Sequence, residues 1–202
     1  FFFFLCLIYQ SQVIKTSEKI NNPKIGLSLS GGGAKGFAHI GVLKVLDSLG
    51  VKIDYISGTS MGSIVGAMYA SGYSGKEIEK IVLETDFYSI ISNEKNRKET
   101  TFFNKSTDKY IISLPVINGK VNVLPKAISS GQKNIYVLNE IFKNVSNVND
   151  FSKLPIPFMC IATNLETGNM KVIENGDIVN SIMASSAFPT LMDPVKINDS
   201  LY

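Results

Sequence analysis

The serine of Gly58-Thr59-Ser60-Met61-Gly62 is the residue of this chain best placed by its neighbours to act as a nucleophile. The pentapeptide is a G-x-S-x-G lying between an apolar run and a stretch of small residues. In such a turn the serine occupies a sharp bend from strand to helix, which lifts its hydroxyl above the edge of a sheet. Gly58 and Gly62 are needed because a side chain at either position would collide with neighbouring backbone. The string alone is weak, arising by chance in about one chain in ten at these Gly and Ser frequencies. A tight turn with an inert serine is the plain alternative. The strand-to-helix placement and a second glycine-rich turn weigh against it.

That second turn comes earlier, at Gly31-Gly32-Gly33-Ala34-Lys35-Gly36. It fits G-x-G-x-x-G, which is ambiguous by itself. A dinucleotide site expects an acidic residue at the end of the second strand. Here that strand ends in Ile56-Ser57-Gly58, and Asp54 sits too early. A phosphate-binding P-loop needs Gly-Lys-Ser/Thr after the last glycine, but Gly36 is followed by Phe37. A third reading fits better: consecutive glycines at a helix N-terminus present unhindered amides that stabilise an oxyanion forming at Ser60. Lys35 adds positive charge to the same turn. A purely structural glycine loop is the bland alternative.

An activated serine needs a base. His39 is the only histidine, and a triad would have to use it or one beyond Tyr202. It lies three residues past Gly36, at the edge of an apolar helical stripe, where a packed or hydrogen-bonded structural role is expected. The lack of another candidate points to a Ser/Asp dyad. No metal site is visible, with one His and no paired Cys spacing, and no cofactor is implied. Cys160, in the apolar run Pro157-Phe158-Met159-Cys160-Ile161, reads as a buried small hydrophobe.

The elements that must position these residues follow from local pattern. Ile25 to Leu29 predicts a short buried strand running straight into the first glycine turn. A helix follows, with Ala38, Val42, Val45 and Leu49 on one apolar stripe and Gly50 as its stop. Ile53 to Ser57 predicts the second strand, and the small apolar stretch Ser63 to Ala70 a helix packed inside the domain. Ser74 and Glu77 form a capping box for a helix through about Asp86. Asn118-Gly119, flanked by Tyr110-Ile111-Ile112 and Val121 to Leu124, predicts a hairpin. Helix is expected over Gly131 to Val145 and Asp177 to Ser185, the latter stopping before Pro189. Strands are expected at Phe158 to Thr163, Met170 to Ile173 and Val195 to Tyr202, the last interrupted by a turn at Asn198-Asp199. This alternation argues for an α/β domain with a mainly parallel sheet covered on both faces.

The N-terminus carries a separate signal. Phe1 to Ile8 reads FFFFLCLI, too short to span a bilayer but the size of a signal-peptide core. Residues 1–14 are therefore expected to be part of a signal peptide, with Cys6 lost on cleavage, and the protein to be exported to the periplasm, outer membrane or medium. A core strand or a membrane anchor is the alternative. The 202 residues suit one domain, expected over residues 24–202. Apolar residues make up 45% and charged residues 18%, which excludes bulk disorder. A net charge of +3 is too small to argue for nucleic acid, though an anionic membrane surface would attract it weakly. The mixed-sign run Glu94 to Glu99 reads as a solvated loop.

Gly31 through Leu43, followed by Asp54-Tyr55-Ile56-Ser57-Gly58-Thr59-Ser60-Met61-Gly62-Ser63, resembles the patatin-like phospholipase family. The likeness continues through Leu154-Pro155-Ile156-Pro157-Phe158, Ala162 to Gly168 and Ala184-Ser185-Ser186-Ala187-Phe188-Pro189, covering Lys24 to Tyr202. The resemblance implies a three-layer α/β/α fold that cleaves acyl esters of phospholipids or other lipids at a membrane surface, without a metal. It implies Ser60 as nucleophile, Gly31, Gly32 and Gly33 as the oxyanion loop together with Lys35 and Gly36, and Gly58, Thr59, Met61 and Gly62 as the nucleophile elbow. The family's aspartate belongs to an Asp-Gly-Gly or Asp-Gly-Ala motif shortly after a segment like Asn198 to Tyr202. No such dipeptide occurs here, so that partner is expected beyond Tyr202, and the role is not transferred to Asp193 or Asp199. The chain is accordingly expected to stop short of its acid and to be almost inert alone. Exported bacterial relatives often carry a C-terminal outer-membrane barrel, a possible continuation here. Acyl transfer from the same serine, and a non-catalytic lipid-binding module, are the rival readings.

Overall fold

A computed structural model describes residues 23–85, 116–117, 120–121, 132–189 and 192–202. The Phe1 to Ile8 run, the Glu94 to Glu99 run and the strand expected at Tyr110 to Ile112 lie outside the described residues. The centre is a four-stranded sheet in the order β1 (Gly26–Leu29), β2 (Tyr55–Thr59), β5 (Phe158–Thr163), β6 (Met170–Ile173). β1, β2 and β5 run parallel, and β6 returns antiparallel beside β5. The mainly parallel α/β architecture expected from the alternating pattern is the one observed.

The parallel register sets Leu29 beside Gly58 and Ile56 beside Phe158, so these residues share one sheet face. That face is covered by α2 (Met61–Ala70), whose residues are buried apart from Ile64. Small residues allow the close fit: a Cβ on Gly66 would stand 3.1 Å from Ile56, 3.3 Å from Leu29 and 3.5 Å from Phe158. The helix therefore rests on three strands at once, as its all-round apolar sequence requires. A second helix, Ile178–Ser186, lies on the same face, where Cys160 Sγ donates to the Ser181 carbonyl. Asp177 caps it by accepting from the Asn180 amide at 2.7 Å. The opposite face, with Ser57, Met159 and Ile161, is half-buried.

α1 (Ala38–Ser48) corrects the sequence reading. The stripe Ala38, Val42, Val45, Leu49 faces outward, with Leu49 70% exposed, and the buried residues are Ile40 and Leu43. Polar ties fix this rotation. Asp47 accepts from the Tyr69 hydroxyl of α2 and from the amide of Gly75, the first residue of α3 (Gly75–Glu84), while Lys44 pairs with Glu79 at 2.7 Å. The expected capping box of α3 is present: Ser74 Oγ accepts from the Glu77 amide, and Glu77 accepts from the Ser74 amide. That helix ends at Glu84, short of Asp86.

The hairpin expected around Asn118-Gly119 is observed as antiparallel β3 (Val116–Ile117) and β4 (Lys120–Val121), with its turn outside the described residues. The helix expected over Gly131 to Val145 divides into α4 (Gln132–Ile141) and a 3-10 turn at Lys143–Val145. Ile178–Ser186 is α5. The last strand is a tight hairpin, β7 (Lys196–Ile197) against β8 (Ser200–Leu201), folded at Asn198 with φ 53°. Among the described residues no helix is long and apolar enough to cross a membrane.

Candidate active site

The loops after β1, β2 and β5 all leave the carboxyl edge of the sheet, the edge at which open parallel sheets bind ligands. Each loop contributes to one place, and Ser60 stands at its centre.

β2 passes into α2 with no intervening loop, so Ser60 must turn the chain in a single residue. It does so at φ 52°, ψ −122°, a conformation that costs an L-residue about 1–3 kcal/mol. Its carbonyl is held by the amides of Ser63 and Ile64 and by the Ser63 hydroxyl, at 2.8, 3.2 and 2.6 Å. Its hydroxyl has no hydrogen-bond partner among the described residues, while its amide donates to Ser185 Oγ at 2.9 Å. A Cβ on Gly58 would overlap the Gly62 carbonyl and lie 2.6 Å from Ser63 Cα. The turn is steep enough to exclude side chains there, the reason the sequence pattern requires glycine.

The glycine loop after β1 lies directly beside this bend. A Cβ on Gly31 would approach Ser60 Cβ to 3.1 Å and the Thr59 carbonyl to 3.3 Å. Gly32 and Gly33 have φ 154° and 56°, and from Gly33 the chain winds into a 3-10 turn, Gly33–Phe37, that leads into α1. Among the described residues no acceptor receives the amides of Gly31, Gly32 and Gly33. The start of a helical run leaves such amides open, with a partial positive charge. Gly36 is buried beneath Met61, whose Cγ would stand 2.5 Å from a Cβ there, so the two turns are in contact. Lys35 is exposed, and its amide closes the turn on the Gly32 carbonyl. Thr59 is paired to Ile161 in the sheet.

The third loop shapes a cleft of about 370 Å³ over Ser60. One wall is Ala184, Ser185, Ala187, Phe188 and Pro189 from the end of α5, and the other is Thr163, Asn164 and Leu165 with Tyr202. Asn164 Oδ1 closes its own turn by accepting from the amides of Glu166 and Thr167 and the Thr167 hydroxyl. Leu165 donates to the Leu201 carbonyl at 2.8 Å, and Val195 and Tyr202 exchange two bonds, so the β7–β8 hairpin is fastened to this wall. Phe188 is 67% exposed.

His39 Nε2 lies 2.9 Å from the Ser30 carbonyl, which only accepts, so this nitrogen donates. The imidazole ties α1 to the loop after β1, the hydrogen-bonded structural role expected of it. Asp47, Asp54, Asp150 and Asp177 each accept from other groups: Tyr69, the Ile25 amide, Ser152 and the Asn180 amide. Cys160 is buried, and burial pushes its thiol up to about 12, which leaves it unreactive. Gly31 thus stands against Ser60, Gly58 and Gly62 close the bend on either side of it, and Gly36 packs against Met61. Sequence reasoning gave no role to Ser185 or to the cleft walls. Ser185 had as its only signal the Ala184 to Pro189 run quoted for the resemblance.

Residues 27–202 match a family model described as patatin-like phospholipase. The chain is 24% identical to the lysophospholipase NTE1 of Meyerozyma guilliermondii over 196 residues, covering 96% of this chain and 12% of that protein. A patatin-like phospholipase domain-containing protein of Caenorhabditis elegans is 28% identical over 191 residues, 92% of this chain. The chain spans about an eighth of the length of the first of these relatives, 12%. VipD from Legionella pneumophila shares the fold with a TM-score of 0.55 at 16% identity, covering 90% of this chain and 45% of that one. So does ExoU of the Pseudomonas aeruginosa type III secretion system, solved in complex with SpcU, with a TM-score of 0.53 at 22% identity, covering 83% of this chain and 39% of that one.

Proposed function

The chain belongs to the patatin-like phospholipase family, and on that premise we propose that it hydrolyses acyl esters of lipids with Ser60 as its nucleophile. The observation that carries this reading is the unbonded Ser60 hydroxyl on a bend packed against Gly31, the first residue of a glycine loop whose amides are open among the described residues.

The reaction has two steps. Ser60 Oγ passes its proton to a carboxylate base and attacks the ester carbonyl carbon, while the glycine amides receive the developing oxyanion. The intermediate collapses, the carbon–oxygen bond to the leaving alcohol breaks, and the alcohol takes up the proton. Water, giving a proton to the same carboxylate, then attacks the acyl carbon; the bond to Ser60 Oγ breaks, the fatty acid leaves, and the carboxylate returns the proton to Ser60 Oγ. We assign the base to an aspartate, as the family resemblance implies: among the described residues the one hydrogen bond of the His39 ring goes to the Ser30 carbonyl and none goes to Ser60. The relatives' names favour a phospholipid or lysophospholipid. The apolar wall of Ala184, Ala187, Phe188 and Pro189 suits an acyl chain lying with its ester at Ser60.

The test is Ser60→Ala in the natural full-length protein. Hydrolysis of short-chain esters and of lysophospholipid is expected to vanish, with circular dichroism unchanged, and fluorophosphonate is expected to label wild type only. Substantial turnover by Ser60→Ala would refute the assignment.

A further inference from the structure

The strain at Ser60 must be held by its surroundings. On the carbonyl side three bonds come from the first turn of α2 itself. On the amide side there is one, and it comes from 125 residues away: Ser60 N–H donates to Ser185 Oγ at 2.9 Å. Ser185 has a single hydroxyl proton, and it donates this to the Ile161 carbonyl at 2.6 Å. Its lone pairs are thereby left facing the Ser60 amide. The chain of bonds is directional, running from Ser60 N–H to the Ser185 hydroxyl and on to the Ile161 carbonyl. Ile161 is the sheet partner of Thr59, the residue before Ser60. The relay therefore crosses from β2 to β5 where β2 ends, and pins the last turn of α5 over that seam.

A second consequence follows. The amide of a nucleophilic serine can itself serve as an oxyanion donor, as in chymotrypsin-type sites. Here that amide is already spent on Ser185, whereas those of Gly31, Gly32 and Gly33 are open.

We propose that Ser185 is a positioning residue for Ser60, its hydroxyl fixing the strained elbow through the Ser60 amide and reserving the oxyanion site for the glycine loop. This rests on the reading of Ser60 as nucleophile. Removing the hydroxyl leaves the Ser60 amide and the Ile161 carbonyl unpaired, and frees Ser60 to relax from the attacking geometry. The loss falls on the chemical step, because Ser185 stabilises the position of Ser60 rather than the substrate.

The experiment compares wild type, Ser185→Ala, Ser185→Thr and Ser60→Ala in the full-length protein, measuring kcat, KM, fluorophosphonate labelling rate and urea unfolding. Ser185→Ala is expected to lose about tenfold or more in kcat and in labelling rate, with KM within about twofold. Ser185→Thr, which keeps a hydroxyl, is expected to recover most of the loss. If Ser185→Ala does not fold, Ser185→Cys carries the comparison, its weak donor and acceptor predicting a similar fall in kcat. Wild-type kcat in the Ala or Cys variant, a loss confined to KM, or a Thr variant no better than Ala would each overturn the inference. A normal Ser185→Ala beside an inactive Ser60→Ala removes only this inference, whereas an active Ser60→Ala removes the nucleophile reading itself.

Discussion

The carbonyl of Leu29, at the end of β1, occupies the space that a Cβ on Gly62 would fill, with Leu29 C and the Ser30 carbonyl each 2.6 Å from that point. The first turn of the serine helix is thus seated on the strand that feeds the glycine loop. Gly62→Ala forces backbone, not a flexible side chain, to move. It is expected to cost roughly 2–3 kcal/mol in urea unfolding and to separate Ser60 from Gly31, with a matching fall in turnover. An unchanged midpoint would mean that the two turns are less tightly joined than the structure places them.

Ser60 holds its backbone at φ 52°, ψ −122°. Glycine adopts such angles without the Cβ penalty, and the strain released exceeds the chain entropy that glycine adds to the unfolded state. Ser60→Gly is therefore expected to raise stability by about 1 kcal/mol while abolishing ester hydrolysis. A drop in the unfolding midpoint would show the elbow to be unstrained.

Gly32 tests conformation separately from space. A Cβ there would meet only Lys35 Cβ, at 3.7 Å, but its φ of 154° lies where side chains are rarely found. Gly32→Val should let the domain fold yet turn the loop amides away from Ser60. The expected loss in kcat is about a hundredfold, the scale of one oxyanion donor or about 3 kcal/mol. Kinetics equal to wild type would reduce the loop to a structural turn.

Tyr69 sets a pH limit. Burial, with its hydrogen bond to Asp47, pushes the phenol up to about 12 from an ordinary value near 10. The folded state keeps this proton where the unfolded state releases it. The contribution to stability is complete below about pH 10 and is lost as pH rises towards 12. Tyr69→Phe should therefore lose less stability than wild type across that window in a pH series of urea melts. Parallel curves would count against it.

Asp47 joins three helices, since its carboxylate accepts from Tyr69 at 2.6 Å and from the Gly75 amide at 2.7 Å. Asp47→Ala strands both donors and is expected to cost roughly 2–4 kcal/mol. Asp47→Asn, which keeps an acceptor, should lose less. Equal losses would assign the effect to charge rather than to hydrogen bonding.

The sequence alone determined whatever is decided within a few residues. The bounds of Phe158–Thr163 and Met170–Ile173, the capping box at Ser74 and Glu77, and the steric need for glycine at 58 and 62 are local chemistry, and the structure places them as read. The same locality made both turns beside Ser60 legible, since each is a strand running into a helix. Only tertiary structure decided which side of α1 is buried. Ile40 and Leu43 compete with Val42, Val45 and Leu49 at equally good helical spacing, so periodicity has no preference. The rotation is set by Asp47 reaching Tyr69 and Gly75, and by Lys44 reaching Glu79. Ser185 was illegible for a related reason. A serine in a small-residue run carries no mark of its partner, and the Ser60 amide lies 125 residues away until the sheet and α5 bring them together.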